Sequence, residues 1–299
     1  MNLKQMLTAV SMAAVLLITA CVSVRVFISL EPPVGSEPTT EAPTAYGTVV
    51  DEAALEASRI AAQAVYEQAS RAGNAALAQA ELTKEQQQDS IASQFKDADK
   101  LYDYVDDAIE SGELTYDKLY EDTLIVGDYP IATVQLYGYL SERHCMGRTD
   151  ADLTFLQDNI ITLTARAPKT LILHFGMNDL PDDVLALHEQ FIYPYERICK
   201  RLQQLLPGTK LVISSVFPVT ETAAQNNPKY QNISLCNAYL IAMCTDNGWL
   251  YLDNDSVVAT HANYFGSGGV YLTGEFYEQF WLKHAYAYSR GLAKDSLPY

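Results

Sequence analysis

From residue 124 onward, short runs of consecutive apolar residues alternate with longer stretches of helical periodicity. The runs are 124–126 (Leu-Ile-Val), 171–175 (Leu-Ile-Leu-His-Phe), 211–213 (Leu-Val-Ile) and 249–252 (Trp-Leu-Tyr-Leu). A strand that is apolar at every position hides both faces, as strands of a parallel sheet do between two layers of helices. Residues 193–206, 233–247 and 274–290 read as helices, the first stopping at Pro207-Gly208 and the second at Gly248. The pattern predicts an α/β domain of three layers, α/β/α, around a central parallel sheet. In such sheets sites gather at the carboxyl ends of the strands. The positions to inspect are therefore Gly127-Asp128, Gly176, Ser214-Ser215 and Asp253.

The first 118 residues read differently. Residues 7–24 carry no charge over 18 positions, close to the length that crosses a bilayer core, and Lys4 and Arg25 flank them. This predicts a single-pass membrane anchor over 1–30 with the rest of the chain outside the cytoplasm. A lipoprotein acylated at Cys21 and a cleaved secretory signal are the alternatives. Residues 31–50 form a Pro/Thr/Glu-rich linker. Residues 51–118 read as a helical stalk, Ala-, Gln- and Glu-rich at first. Within it Ile91, Phe95, Ala98, Tyr102, Val105 and Ile109 make one apolar stripe, and Gly112 marks its stop. A stripe packed on the following domain makes the helix architecture; a solvated one makes it an interaction surface. Residues 119–299 are left for the α/β domain.

Charge refines this division. With 20 basic and 37 acidic residues the net charge is −17. Residues 31–122 hold 20 acids against 6 bases, and residues 123–299 hold 17 against 12. Most of the acidity thus belongs to linker and stalk, where self-repulsion favours extension. No basic cluster of the kind that holds a phosphate backbone is present, which excludes nucleic acid as a partner. The five cysteines form no CxxC pair, and the five histidines share no metal-ligand spacing on one element. No metal and no cofactor is predicted. Cys236 and Cys244, eight residues apart on one helix, are about 12 Å apart and cannot pair.

At the strand ends the sequence resembles the SGNH/GDSL hydrolase (esterase/lipase) family. Gly127-Asp128-Tyr129 is similar to the first block, Gly-Asp-Ser. Cys145-Met146-Gly147 is similar to the second, and Gly176-Met177-Asn178-Asp179 to the third, Gly-x-Asn-Asp. Gly268-Gly269-Val270-Tyr271-Leu272-Thr273 is similar to the last, Asp-Gly-Ile-His-Leu-Thr. The resemblance covers residues 119–290 and implies a flavodoxin-like SGNH domain acting on acyl esters, including acetyl groups on glycans and other cell-envelope polymers. By resemblance Gly147 and Asn178 are the oxyanion or binding donors, and Gly127, Asp128, Gly176 and Asp179 are structural.

The departures decide the function. The family places a serine nucleophile where Tyr129 stands, and the acid and base of the triad where Gly268 and Tyr271 stand. None of these three supplies the missing chemistry near neutral pH: a phenol titrates near 10, and glycine has no carboxyl. Donors alone can hold a carbonyl but cannot deliver a nucleophile. The expectation is a membrane-anchored, extracytoplasmic, SGNH-like pseudoenzyme that binds or presents an acyl-ester or glycan-type envelope substrate, or assists a membrane acyltransferase. One alternative is an active esterase or acyl transferase with an unconventional set, Tyr129 with His261 as a displaced base. Another is an interaction protein acting through its stalk. His174, inside a strand, is expected to pack beneath the cleft. The aromatic cluster of Tyr264, Phe265, Tyr271, Tyr277 and Tyr286 is either a sugar-stacking surface or packing.

Overall fold

The computed structural model describes residues 52–94 and 105–290. The expected anchor over 1–30, Cys21 and the 31–50 linker lie outside the described residues, as do Phe95, Ala98 and Tyr102 of the stripe. Among the described residues no helix is long and apolar enough to cross a membrane. The chain divides into two units at Ala75/Ala76. Helix α1 (Glu52–Gln94) runs through 43 residues. It carries exposed ion pairs one turn apart, Arg59 with Glu56 and Arg71 with Glu67, which stabilise a solvated helix only by tenths of a kcal/mol each.

The second unit contains a five-stranded, all-parallel sheet in the order β2-β1-β3-β4-β5. Its strands are β1 (Thr123–Gly127), β2 (Cys145–Gly147), β3 (Thr170–His174), β4 (Lys210–Ser214) and β5 (Leu250–Leu252). This is the flavodoxin-like order, whose direction reverses between β1 and β3. Every residue of β1 and β3 is buried, the outcome their unbroken apolar runs require. Helices α2 (Tyr129–Leu136), α3 (Leu153–Asp158), α4 (Ile160–Arg166), α5 (Tyr193–Leu205) and α6 (Ile233–Asn247) supply connections and layers. Helix α7 (Asp255–Thr260) follows β5, and α8 (Leu282–Arg290) closes the described chain.

Register sorts side chains onto faces. Ile125, Ile172 and Val212 are aligned across β1, β3 and β4, and they share a core with Ile131 and Val134 of α2, Phe276, Trp281 and Tyr286. The next row on that face is Gly127, His174, Ser214 and Leu252. A polar pair therefore sits in an apolar layer at the carboxyl end of the sheet.

That core also takes in Val105, Ala108, Leu114, Tyr116, Leu119 and Tyr120. The α/β body thus begins upstream of the expected boundary at Leu119, and Val105 and Ile109 of the apolar stripe are architecture. The reason lies in the last helix. Residues Tyr277–Trp281 form a π-helical turn, which rotates main-chain carbonyls out of α-helical pairing. Tyr116 and Tyr120, one turn apart, donate their hydroxyls to the carbonyls of Glu278 and Leu282, also one turn apart. Tyr120→Phe keeps the ring and removes a buried donor, so it should cost about 1–3 kcal/mol of unfolding free energy in urea denaturation.

Candidate functional site

The switch point between β1 and β3 carries the polar residues of the strand ends, and close approach shapes it. A Cβ on Gly127 would lie 2.3 Å from the His174 carbonyl oxygen, and one on Gly147 would lie 2.2 Å from the Ala132 nitrogen. These two glycines let α2 start directly on the sheet. The chain enters α2 through Asp128, whose carbonyl accepts from Ile131 and Ala132 at 3.0 and 2.9 Å. Tyr129 is the first residue of α2.

The structure brings Tyr129 and Tyr271 together. Their rings stack with centroids 3.8 Å apart and planes 25° from parallel. These are the two positions at which the resemblance puts nucleophile and base, 142 residues apart in sequence. Tyr271 keeps one side exposed. Burial, with Tyr230, Asp128 and Tyr129 nearby, raises its phenol above the ordinary range, so it holds its proton rather than accepting one. Gly268 lies on the exposed surface, and a Cβ there would meet nothing within 4 Å.

The expected donors have partners of their own. The Gly147 amide donates to Gln135 Oε1 at 2.9 Å. Asn178 Nδ2 donates to the carbonyls of Thr149 at 3.1 Å and Ala151 at 2.8 Å, which uses both of its protons. Asp179 Oδ1 accepts from the Leu153 amide at 2.9 Å and so holds the start of α3; burial pushes its carboxyl up to about 6. Asn237, where many relatives in the resembled family carry an asparagine, clamps Val216, accepting from its N–H and donating to its C=O at 2.9 Å each. His261 lies elsewhere: its ring stacks on Phe280 at 3.8 Å and lines a separate cavity.

Beneath the tyrosine stack runs a buried polar chain that the strand-end residues did not announce. Trp281 Nε1 donates to Asn254 Oδ1 at 3.0 Å. An indole N–H can only donate, so the orientation of the Asn254 amide is fixed. Asn254 Nδ2 then donates to Ser214 Oγ at 2.9 Å and to the Ser215 carbonyl at 2.8 Å. Ser214 Oγ in turn lies within hydrogen-bond distance of His174 Nδ1, 2.9 Å away. The other ring nitrogen, Nε2, faces Asp128 Oδ1 at 3.5 Å. That separation is a polar contact rather than a good hydrogen bond.

Both ends of this contact are dry. Asp128 is fully buried, and neither of its carboxyl oxygens meets hydrogen-bond geometry, although the Met177 amide lies near. Burial, with Asp179 nearby, pushes the Asp128 carboxyl well above the usual range. Burial lowers His174 to about 3. The pair is therefore neutral, not a salt bridge, since charging either member in a dry core costs several kcal/mol. Of the residues in this chain, His174 was expected beneath the cleft, and Asp128 as structural. Asn254 adjoins Asp253, one of the strand-end positions singled out from the sequence. Trp281 carried no signal.

No protein-family model matches the sequence, and no curated protein sequence does. Solved structures similar to this chain include a GDSL-like lipase candidate from Parabacteroides merdae, 16% identical with a TM-score of 0.43, covering 57% of this chain and 97% of that one. A GDSL-like lipase from Bacteroides thetaiotaomicron is 15% identical with a TM-score of 0.42, covering 62% of this chain and 95% of that one. An acetylxylan esterase from Geobacillus stearothermophilus is 12% identical with a TM-score of 0.40, covering 59% and 96%. What the site does has to be read from its own geometry.

The lowered His174 gives a signed prediction. The unfolded chain takes up a proton near pH 6.5 and the folded chain only near 3, so stability from this group is present above 6.5 and lost as pH falls. Asp128 and Asp179 act in the opposite sense, because their raised values favour the folded state in acid. The difference between wild type and His174→Gln isolates the histidine. That difference in unfolding free energy should fall by about 1.4 kcal/mol per pH unit below about pH 6.5. A flat difference between pH 7 and 4 would show that His174 does not stay neutral.

Proposed function

We propose that this chain carries an SGNH-like α/β domain that does not hydrolyse esters. It binds or presents an acyl-ester or glycan-type envelope substrate, or assists a membrane acyltransferase. Its N-terminal segment holds it at a membrane with the domain outside the cytoplasm. The observation that carries the reading is the Tyr129–Tyr271 stack. Where a hydrolase of the resembled type needs a hydroxyl and an imidazole, two phenol rings lie face to face. The internal partners of Gly147 and Asn178 support the same conclusion. Each donor would have to give up a protein acceptor before meeting an oxyanion.

The binding half of the reading rests on position and exposure. The β1/β3 switch point is where open α/β sheets receive ligands, and Tyr271 presents a ring there to solvent. An aromatic face with a polar rim suits a sugar or a short acyl chain better than a bare charge. The rewired-hydrolase alternative loses support, because His261 is occupied against Phe280, with Nδ1 bonded to the Val257 carbonyl at 2.7 Å.

Purified domain should turn over p-nitrophenyl acetate no faster than buffer, and Tyr129→Phe should behave identically. Turnover that depends on the Tyr129 hydroxyl would overturn the non-hydrolytic reading. For the binding half, an acetylated oligosaccharide should perturb the Tyr271 ring signals in NMR titration. Tyr271→Ala should weaken that binding by about tenfold, the scale of one lost stacking contact.

A further inference from the structure

Away from the tyrosine stack the second unit contains a cavity of about 600 Å³, within the size range of small-molecule sites. It lies between the segment 105–110, helix α7 with His261, and the start of the last helix. Six of its lining groups set its chemistry: Asp106, Glu110, His261, Phe280, Lys283 and His284.

Their hydrogen bonds fix which atoms remain to meet a ligand. His261 Nδ1 contacts the Val257 carbonyl at 2.7 Å. A carbonyl only accepts, so Nδ1 carries the proton and Nε2 is an acceptor. Thr260 Oγ1, 2.9 Å from the same nitrogen, helps hold the ring, and Phe280 stacks on it at 3.8 Å. His284 Nε2 meets the Asp253 carbonyl at 2.6 Å, so its Nδ1 is the acceptor by the same logic. Lys283 is bound to Asp106. Among the described residues no lysine or arginine forms an ion pair with Glu110, whose side chain is exposed at the rim.

The inventory is one-sided. The cavity's lysine is neutralised by one carboxylate, a second carboxylate remains, and two imidazoles offer lone pairs above an aromatic wall. The complement is a group with several N–H donors, a positive charge and a short apolar stem. We infer that this cavity binds a small organic ammonium ion. Its ammonium meets Glu110 and His261 Nε2, and its methylenes lie along Phe280 and Val257. An anionic ligand is excluded by the carboxylates, and a neutral alcohol lacks the charge that makes hydrogen bonds to Glu110 strong. The inference is independent of the reading of the tyrosine site, since none of these residues lies there.

The test uses 1,4-diaminobutane, with 1,4-butanediol as its uncharged counterpart of equal length, titrated at pH 8 by calorimetry and NMR. The diamine should bind and the diol should not. Glu110→Gln and His261→Phe should each weaken the diamine by about tenfold or more, the scale of a lost charge-assisted hydrogen bond. Because the chain is acidic, Asp182→Asn, an exposed carboxylate on other surface, is the control and should bind as wild type. Glu110 is exposed, so its variant keeps the fold even if His261→Phe disturbs packing. No binding of diamine at about 10 mM would overturn the inference. So would equal binding of diol, or equal weakening by Asp182→Asn.

Discussion

A neutral histidine inside a parallel sheet is the constraint on which the rest of this domain turns. His174 stands in a row with Gly127, Ser214 and Leu252, next to the apolar row of Ile125, Ile172 and Val212. Strands β1 and β3 approach this closely only because Gly127 brings no side chain; a Cβ there would press on the His174 carbonyl and Cβ. The histidine stays neutral because it is buried away from water, with Ser214 Oγ at one nitrogen and Asp128 facing the other. Ser214 accepts from Asn254 on its other side. Asn254 is oriented in turn by an indole that can do nothing but donate. One group with no choice thus sets the direction of the chain as far as Ser214. A buried polar network of this kind is stabilising only when every member is satisfied. The carboxyl of Asp128 is the member least satisfied, and its raised pKa follows.

This chain explains why the last helix belongs to the core. Trp281 must face the sheet to reach Asn254, and the π-helical turn Tyr277–Trp281 places it there. The widened turn leaves carbonyls that an ordinary helix would pair internally, and Tyr116 and Tyr120 accept the task of donating to them. The segment before β1 is therefore bound to the segment after β5 by the same device that orients the polar chain. Residues 105–120 belong with the α/β body for that reason, although their sequence reads as the end of a stalk.

The fold was legible where burial is two-sided. Strands β1, β3, β4 and β5 announce themselves as unbroken apolar runs, and α6 ends at Gly248 as its sequence indicates. The short elements were not. Strand β2 is three residues with a half-buried methionine, and α3 and α4 have 6 and 7 residues, too few for a periodic signal. At the site, the block resemblance located Tyr129 and Tyr271, which the fold places in contact. It could not show that Gly147 is bonded to Gln135 or that Asn178 is turned to Thr149 and Ala151, because those are matters of side-chain direction. The Trp281–Asn254–Ser214–His174 chain spans separations of 27, 40 and 40 residues. Only the register of the sheet brings such residues together, and a residue type alone does not carry register.

Active sites ordinarily keep polar groups unpaired and conformations strained so that a transition state can satisfy them, at a cost in stability. Here each position has gone the other way. The nucleophile and base positions hold rings that satisfy one another by stacking. The two donor positions hold protons already shared with internal acceptors. The carboxyl below them is kept neutral by a dry surrounding instead of being ionised to orient a base. None of these changes requires the others, yet all lower the free energy of the empty cleft. A single exchange of Tyr129 for serine would meet Tyr271 where a base is needed and a Gly147 amide held by Gln135. On the proposed reading, hydrolysis lies several separate changes away from this sequence, whereas the exposed face of Tyr271 stays open to contact.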